Sequence, residues 1–188
     1  MARPKSDDKR DAILAAATRV IAAQGLSAPT AAIAKEAGVS NGSLFTYFET
    51  KADLLNQLYL EIKTEAAEAA LGGRPPKGDI RRQAQYSWAR SLAWAMDFPD
   101  KRRVLALLTV SDDITPASKA KGHQIMAGVA AQIDQSRRNG PMRNAPLLFV
   151  VAIMNAIMDS TIEFMQRDKA NAEKHSKAGF EAVWRAIA

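Results

Sequence analysis

Two kinds of chemistry could be carried by side chains of these types, and their spacing supports only one of them. Catalysis lacks its parts. The two histidines, His123 and His175, are far apart in sequence, and neither stands in a metal-binding pattern such as His-Glu-x-x-His. There is no cysteine, which excludes thiolate metal sites, disulfides and a thiol nucleophile. Asp159 and Glu163 lie four residues apart opposite the Met154 face of their helix, where they read as a solvated stripe. Paired carboxylates without a placed acid, water or metal partner do not make a catalytic site. Gly-x-Ser-x-Gly, the phosphate loop and the dinucleotide fingerprint are all missing. The expectation is a protein that is not an enzyme and uses no metal or cofactor.

The second kind is recognition, and its parts are concentrated between residues 30 and 51. Asn41, Gly42, Ser43, Phe45, Thr46 and Tyr47 are small, polar or aromatic, with no charge among them. A merely solvated helix face usually carries Lys or Glu. A face that enters a DNA major groove needs small residues for close approach, and amides, hydroxyls or rings for base edges. Asn41, Ser43, Thr46 and Tyr47 are therefore expected to read bases, with Phe45 against a thymine methyl or sugar. Thr30, Ser40 and Lys51 would hold phosphates. A lysine opening a helix is slightly unfavourable for the helix dipole, and a nearby phosphate reverses that sign.

These side chains need two short helices and a tight turn to position them. Thr30 is expected to cap the first helix, whose stripe is Ile33, Ala34 and Ala37. Gly38 supplies the positive φ that reverses the chain, and Ser40 caps the second helix. Leu44 and Phe48, four apart, anchor that helix to a core. A preceding helix opens near Ser6, carries Ile13, Leu14, Ala17, Val20 and Ile21, and stops at Gly25. Thr50 with Asp53 resembles a capping box for a long fourth helix, which Gly72 to Gly78 interrupts.

The run Ile33–Ser40, then Ser43–Phe48, then Lys51–Leu55, together with Ile13–Ala17 and Gly25, resembles the signature of the TetR family of transcription regulators. The resemblance covers residues 8 to 60. It implies an all-α protein: an N-terminal three-helix, helix-turn-helix DNA-binding domain over residues 1–52, with the motif at about 29–48, and a C-terminal helical bundle over 53–188 for effector binding and dimerisation. It also implies a repressor released from operator DNA by a small molecule. The alternative is a helical ligand-binding or interaction protein that does not touch DNA. Phe45 stands where the family often has Tyr, and Ala31 where some members carry a base-reading Arg.

The rest of the chain reads as helices without any alternating strand pattern. One is expected at 79–97 with Trp88, Ser91 and Leu92, a short one from Pro99, and one from Pro116 to Asn139 with Met126. The segment from Pro146 to Met165 is apolar around most of its circumference, so it should be covered on two sides. Phe180, Val183, Trp184 and Ile187 form a last stripe. A partner subunit is the natural cover, with a deeper core within one chain as the alternative, giving a homodimer contact through Ile157, Phe164, Phe180, Val183, Trp184 and Ile187. Trp88, Ser91, Leu92, Met126, Met154 and Met158 are the candidate pocket for a small apolar effector, since Met repacks around varied shapes, with plain core packing as the alternative for each.

Composition is consistent with this without requiring it. The net charge of +6 suits a polyanion, yet the first 51 residues hold seven bases against five acids. The helix pattern, more than charge, carries the case for DNA. Residues 1–6 read as a basic arm. No apolar run approaches a membrane span, no signal segment is seen, and a cytoplasmic location is expected.

Overall fold

A computed structural model describes residues 5–73 and 79–188. Among these the chain forms ten α-helices and one 3-10 turn, with no strand. They are α1 (Lys5–Gln24), α2 (Thr30–Glu36), α3 (Asn41–Tyr47), α4 (Lys51–Leu71), α5 (Ile80–Asp97), α6 (Pro99–Thr109), α7 (Pro116–Ile125), α8 (Ala127–Ser136), α9 (Leu147–Arg167) and α10 (Ala172–Ile187). The expected all-α class is the observed one. The expected arm over residues 1–4, and residues 74–78 of the expected break, lie outside the described residues.

Packing divides the chain into two units: Met1–Thr64 with Phe98–Gln124, and Glu65–Asp97 with Ile125–Ala188. This division differs from a boundary after residue 52, because α6 and α7 pack with the N-terminal helices. In the first unit, Ile13, Leu14, Ala17 and Ile21 of α1, Ile33 of α2, Leu44 of α3, and Leu54, Leu55, Leu58 and Ile62 of α4 are all buried. Val104 and Leu108 of α6 join that core, which is why α6 packs on α1. Pro99 opens α6 at its first turn, where its missing N–H costs nothing. Buried Asn56 of α4 donates to the carbonyls of Ala52 (2.7 Å) and Asp113 (2.8 Å) and accepts from the Thr115 amide (3.0 Å). One side chain thus fastens the α6–α7 loop to α4.

In the second unit Trp88, Leu92 and Ala95 of α5, Val150 and Ile162 of α9, and Phe180, Val183 and Ile187 of α10 form one buried cluster. Gly179 permits this approach: a Cβ there would come within 2.2 Å of Thr161 Oγ1. Arg137, buried at the end of α8, pairs with Asp134 at 2.7 Å and donates to the carbonyls of Met142, Arg143 and Ala145. It fastens the loop before α9.

Two sequence expectations need correction here. The helix expected from Pro116 to Asn139 is broken at Met126 into α7 and α8, where Gly122 and Gly128 weaken helix propensity on both sides. The statement that no apolar run approaches a membrane span fails for α9. Its 21 residues, Leu147–Arg167, are long and apolar enough by length and composition to cross. The core helix of a soluble protein shares this length and composition.

Candidate nucleic-acid interface

The turn between α2 and α3 is set by backbone chemistry that the sequence specifies. Gly38 has φ +69°, and the amides of Gly38 and Val39 donate back to the carbonyls of Lys35 (3.1 Å) and Ala34 (3.0 Å). That is the two-bond Schellman closure, which satisfies α2's last carbonyls as the chain reverses. Ser40 then takes an extended conformation and its Oγ accepts from the Ser43 amide at 3.0 Å, capping α3 as expected. Its hydroxyl hydrogen is left to donate outward.

Thr30 does not cap α2. Pro29 holds the cap position in an extended conformation (φ −72°, ψ 145°), and its carbonyl accepts from the amides of Ala32 and Ile33. Thr30 becomes the first helical residue, half-buried, with no side-chain cap bond. At the start of α4 the Asp53 amide donates to Thr50 Oγ1 (3.0 Å), and Asp53 in turn accepts from the Glu49 amide (3.1 Å). The capping arrangement is present, with the return bond one residue earlier than in a strict box.

Two side chains hold α3 in place. Leu44 and Phe48 are fully buried, and the Arg10 guanidinium lies 5.9 Å from the Phe48 ring centroid while donating to Gln57 on α4. Everything else on α3 faces outward or partly so. Asn41, Gly42, Phe45 and Thr46 are exposed, and Ser43 and Tyr47 half-buried. The Thr46 hydroxyl donates to the Ser43 carbonyl at 2.6 Å, so it offers an acceptor and a methyl outward. Ser40 is exposed and Lys51, the first residue of α4, half-buried. Arg19 is committed to Glu36 at 2.7 Å, tying α1 to α2. The result is an uncharged convex helix rigidly seated on a core, chemistry suited to base edges more than to a charged peptide.

The expected effector residues are only partly brought together. Trp88 and Leu92 are buried in the second unit's core, with Met154 and Met158 packed against it. Trp88 Nε1 donates to the Ser176 carbonyl at 3.1 Å, so this ring also fastens α5 to α10. Ser91 is half-buried on α5, and Met126 sits at the break before α8.

The expected dimer stripe is corrected by burial. Phe180, Val183 and Ile187 are 2–3% exposed within a single chain. They face α5 and α9 and cannot present their side chains to a partner. Ile157 and Trp184 are half-buried on the same cluster, Trp184 beside Arg81 at 5.7 Å. Of the six, Phe164 alone is well exposed, at 54%, and it shares α9 with Leu148 (71%) and Phe149 (56%). Among the described residues no group of three acidic or histidine side chains could hold a metal. Glu163 instead pairs with Arg167 at 2.5 Å.

Residues 13–58 match the family described as bacterial regulatory proteins, tetR family. The uncharacterized HTH-type transcriptional regulator YerO of Bacillus subtilis (strain 168) is 28% identical over 142 residues, 71% of this chain and 45% of that protein. The chain thus matches less than half of that relative's length. A crystal structure from Shewanella sp. PV-4, assigned to the TetR family, superposes with a TM-score of 0.81 at 28% identity, covering 94% of this chain and 96% of the other. A TetR family transcription regulator from Marinobacter aquaeolei VT8 gives 0.81 at 26% identity, covering 99% and 98%. The same fold recurs at 19% identity in FadR of Bacillus subtilis in complex with stearoyl-CoA and in LfrR of Mycobacterium smegmatis with proflavine, at TM-scores of 0.69 and 0.67.

Proposed function

We propose that this chain, whose residues 13–58 match the tetR family, is a cytoplasmic, homodimeric, one-component repressor of that family. It would bind operator DNA through α3 and release it when a small apolar effector enters the second unit. The observation that carries this is the seating of α3: two fully buried anchors, Leu44 and Phe48, beneath a face without charge. Asn41, Ser43, Thr46 and Tyr47 would touch base edges, with Gly42 at closest approach and Phe45 on a thymine methyl or sugar. Thr30, Ser40 and Lys51 would fix the register on phosphates. In functional terms the DNA-reading residues fall in 1–52, and effector binding and dimerisation in 53–188.

The homodimer contact is reassigned to the outer face of α9, where Leu148, Phe149 and Phe164 are exposed together with Ala152 and Ala156. The effector site uses the Trp88, Leu92, Met154 and Met158 region, with Ser91 at its edge and Met126 at the break before α8. Ligand complexes of proteins sharing this fold support a ligand role for such a unit. An effector that prefers the non-binding state lowers operator affinity by its differential affinity, typically about 1–3 kcal/mol.

The test is a gel shift against DNA flanking the protein's own gene at two salt concentrations. Wild type should shift a palindromic fragment, and Tyr47→Ala should cost about 1–3 kcal/mol there. Lys51→Ala should weaken all sequences alike and reduce the salt slope by about one unit. A folded dimer that shifts no fragment at either salt refutes the DNA reading and leaves a ligand-binding protein.

A further inference from the structure

Between α5 and α8 lies a polar pair that the second unit's packing leaves half satisfied. Gln132 on α8 is 6% exposed and Ser87 on α5 is 9% exposed. Ser87 Oγ donates to Gln132 Oε1 at 2.9 Å. The Gln132 backbone carbonyl accepts from Ser136 Oγ at 2.9 Å. The side-chain amide nitrogen of Gln132 is buried with no partner. Burying an amide donor unpaired is unfavourable, and a core that wanted only stability would place Leu or Met there. Ser91, one helical turn after Ser87, continues the polar line along α5. Ile133, next to Gln132, packs against the cluster that holds Trp88, Met154 and Met158.

We propose that Gln132 Nε2 is the polar contact of the effector site, and that the effector is an apolar molecule carrying an uncharged hydrogen-bond acceptor: a ketone, ester or amide carbonyl. This rests on the effector reading above. An amide N–H satisfies a neutral carbonyl fully. It is a poor sole partner for a carboxylate, whose burial needs a compensating cation. The buried cation on the same helix, Arg137, is committed to Asp134 and to three loop carbonyls. A cationic ligand would meet the donor end of the amide, which repels it.

The test uses the intact protein and two ketones of different shape, 2-octanone and 2-acetylnaphthalene. Each is compared by equilibrium dialysis with the isostere in which C=CH2 replaces C=O, and with the matching carboxylates, octanoate and 2-naphthoate. At least one ketone should bind about tenfold more tightly than its isostere and its carboxylate, the difference one satisfied hydrogen bond makes. Gln132→Leu should remove that preference while retaining the isostere's affinity and at least the wild-type melting temperature. Gln132→Met serves if the leucine variant misfolds. Equal binding of ketone and isostere, tighter binding of a carboxylate, or no binding of any probe overturns the proposal. Equal binding is also what a water satisfying the amide would give. A ketone that binds with the expected preference but leaves operator affinity unchanged keeps the Gln132 contact and refutes only the switch. A wild-type protein that shifts no DNA refutes the operator reading without touching either.

Discussion

Gly42→Ala separates stability from DNA recognition, because the two should move in opposite directions. Gly42 is the second residue of α3, two after the Ser40 cap. Its φ is not positive, so the backbone gives no reason for glycine. A Cβ there would meet only Ser40 Oγ, at 4.0 Å, an ordinary contact. In a helix interior alanine is favoured over glycine by about 0.8–1.0 kcal/mol. In the first turn, where fewer bonds fix the backbone, about half of that is reasonable. Gly42→Ala should therefore raise the stability of the free protein by about 0.5 kcal/mol, with the urea midpoint rising and its slope unchanged. Against DNA the added methyl stands where the helix approaches base edges, and displacing the docked helix should cost about 1–3 kcal/mol, the size of one lost base contact. That is about a 5- to 150-fold loss in a gel shift. A stabilised variant with wild-type operator affinity would refute the docking face assigned to α3. A destabilised variant would refute the claim that this face is open in the free protein.

The remaining outcomes test packing and charge. Gly122→Ala would place a Cβ 2.8 Å from Tyr59 Cε1 and 3.1 Å from Lys63 Cδ, so denaturation should show a loss of about 1–3 kcal/mol from overpacking. Phe164→Glu should shift light scattering from dimer to monomer, whereas Phe180→Ala should unfold the second unit, because that ring is core; a dimeric Phe164→Glu variant refutes the reassigned interface. Hydrogen bonds from His175 and Asn171 hold the Asp168 carboxyl below its ordinary value of 3.8. A depressed folded value means stability that is present above the unfolded pKa and lost as pH falls through the folded one. Asp168→Asn should therefore shrink the acid-induced loss of melting temperature below about pH 4, and an unchanged acid limb would refute the link.

What was legible in the sequence is what local rules determine. Gly38 as the turn, Ser40 as the cap, and Leu44 with Phe48 as anchors each follow from one residue and its neighbours within four positions. Thr30 failed as a cap because Pro29 can occupy the cap position through its own φ, without a side-chain bond. The break at Met126 was hidden because glycine is tolerated in helices, so Gly122 and Gly128 weaken the pattern without ending it. Asn56 and Gln132 looked like any polar residue on an amphipathic helix. Their roles depend on a loop 57 residues away and on a serine 45 residues away, separations that no periodicity records. A cue existed for Gln132: it follows Ala130-Ala131 and precedes Ile133, an amide set within an otherwise apolar stretch.

The α10 stripe shows the deeper limit. Its spacing fixes that one face is covered, not which chain covers it, and here α5 and α9 of the same chain do so. That displaces the dimer question onto α9, whose inner face is used by Val150 and Ile162 and whose outer face keeps Leu148, Phe149 and Phe164. In a two-fold contact each of these three is buried twice. At about 2 kcal/mol per side chain, near the middle of the usual range, the pair gains on the order of 12 kcal/mol as an upper limit. Association costs about 4–15 kcal/mol, so these three residues suffice only if little is lost elsewhere on the face. Asp159 and Glu163 share that face, and self-contact of a helix brings like charges near the axis. The Glu163–Arg167 pair at 2.5 Å reduces that repulsion on each copy. Dimer affinity should then respond more to Leu148 and Phe149, away from the acids, than to the charge pair.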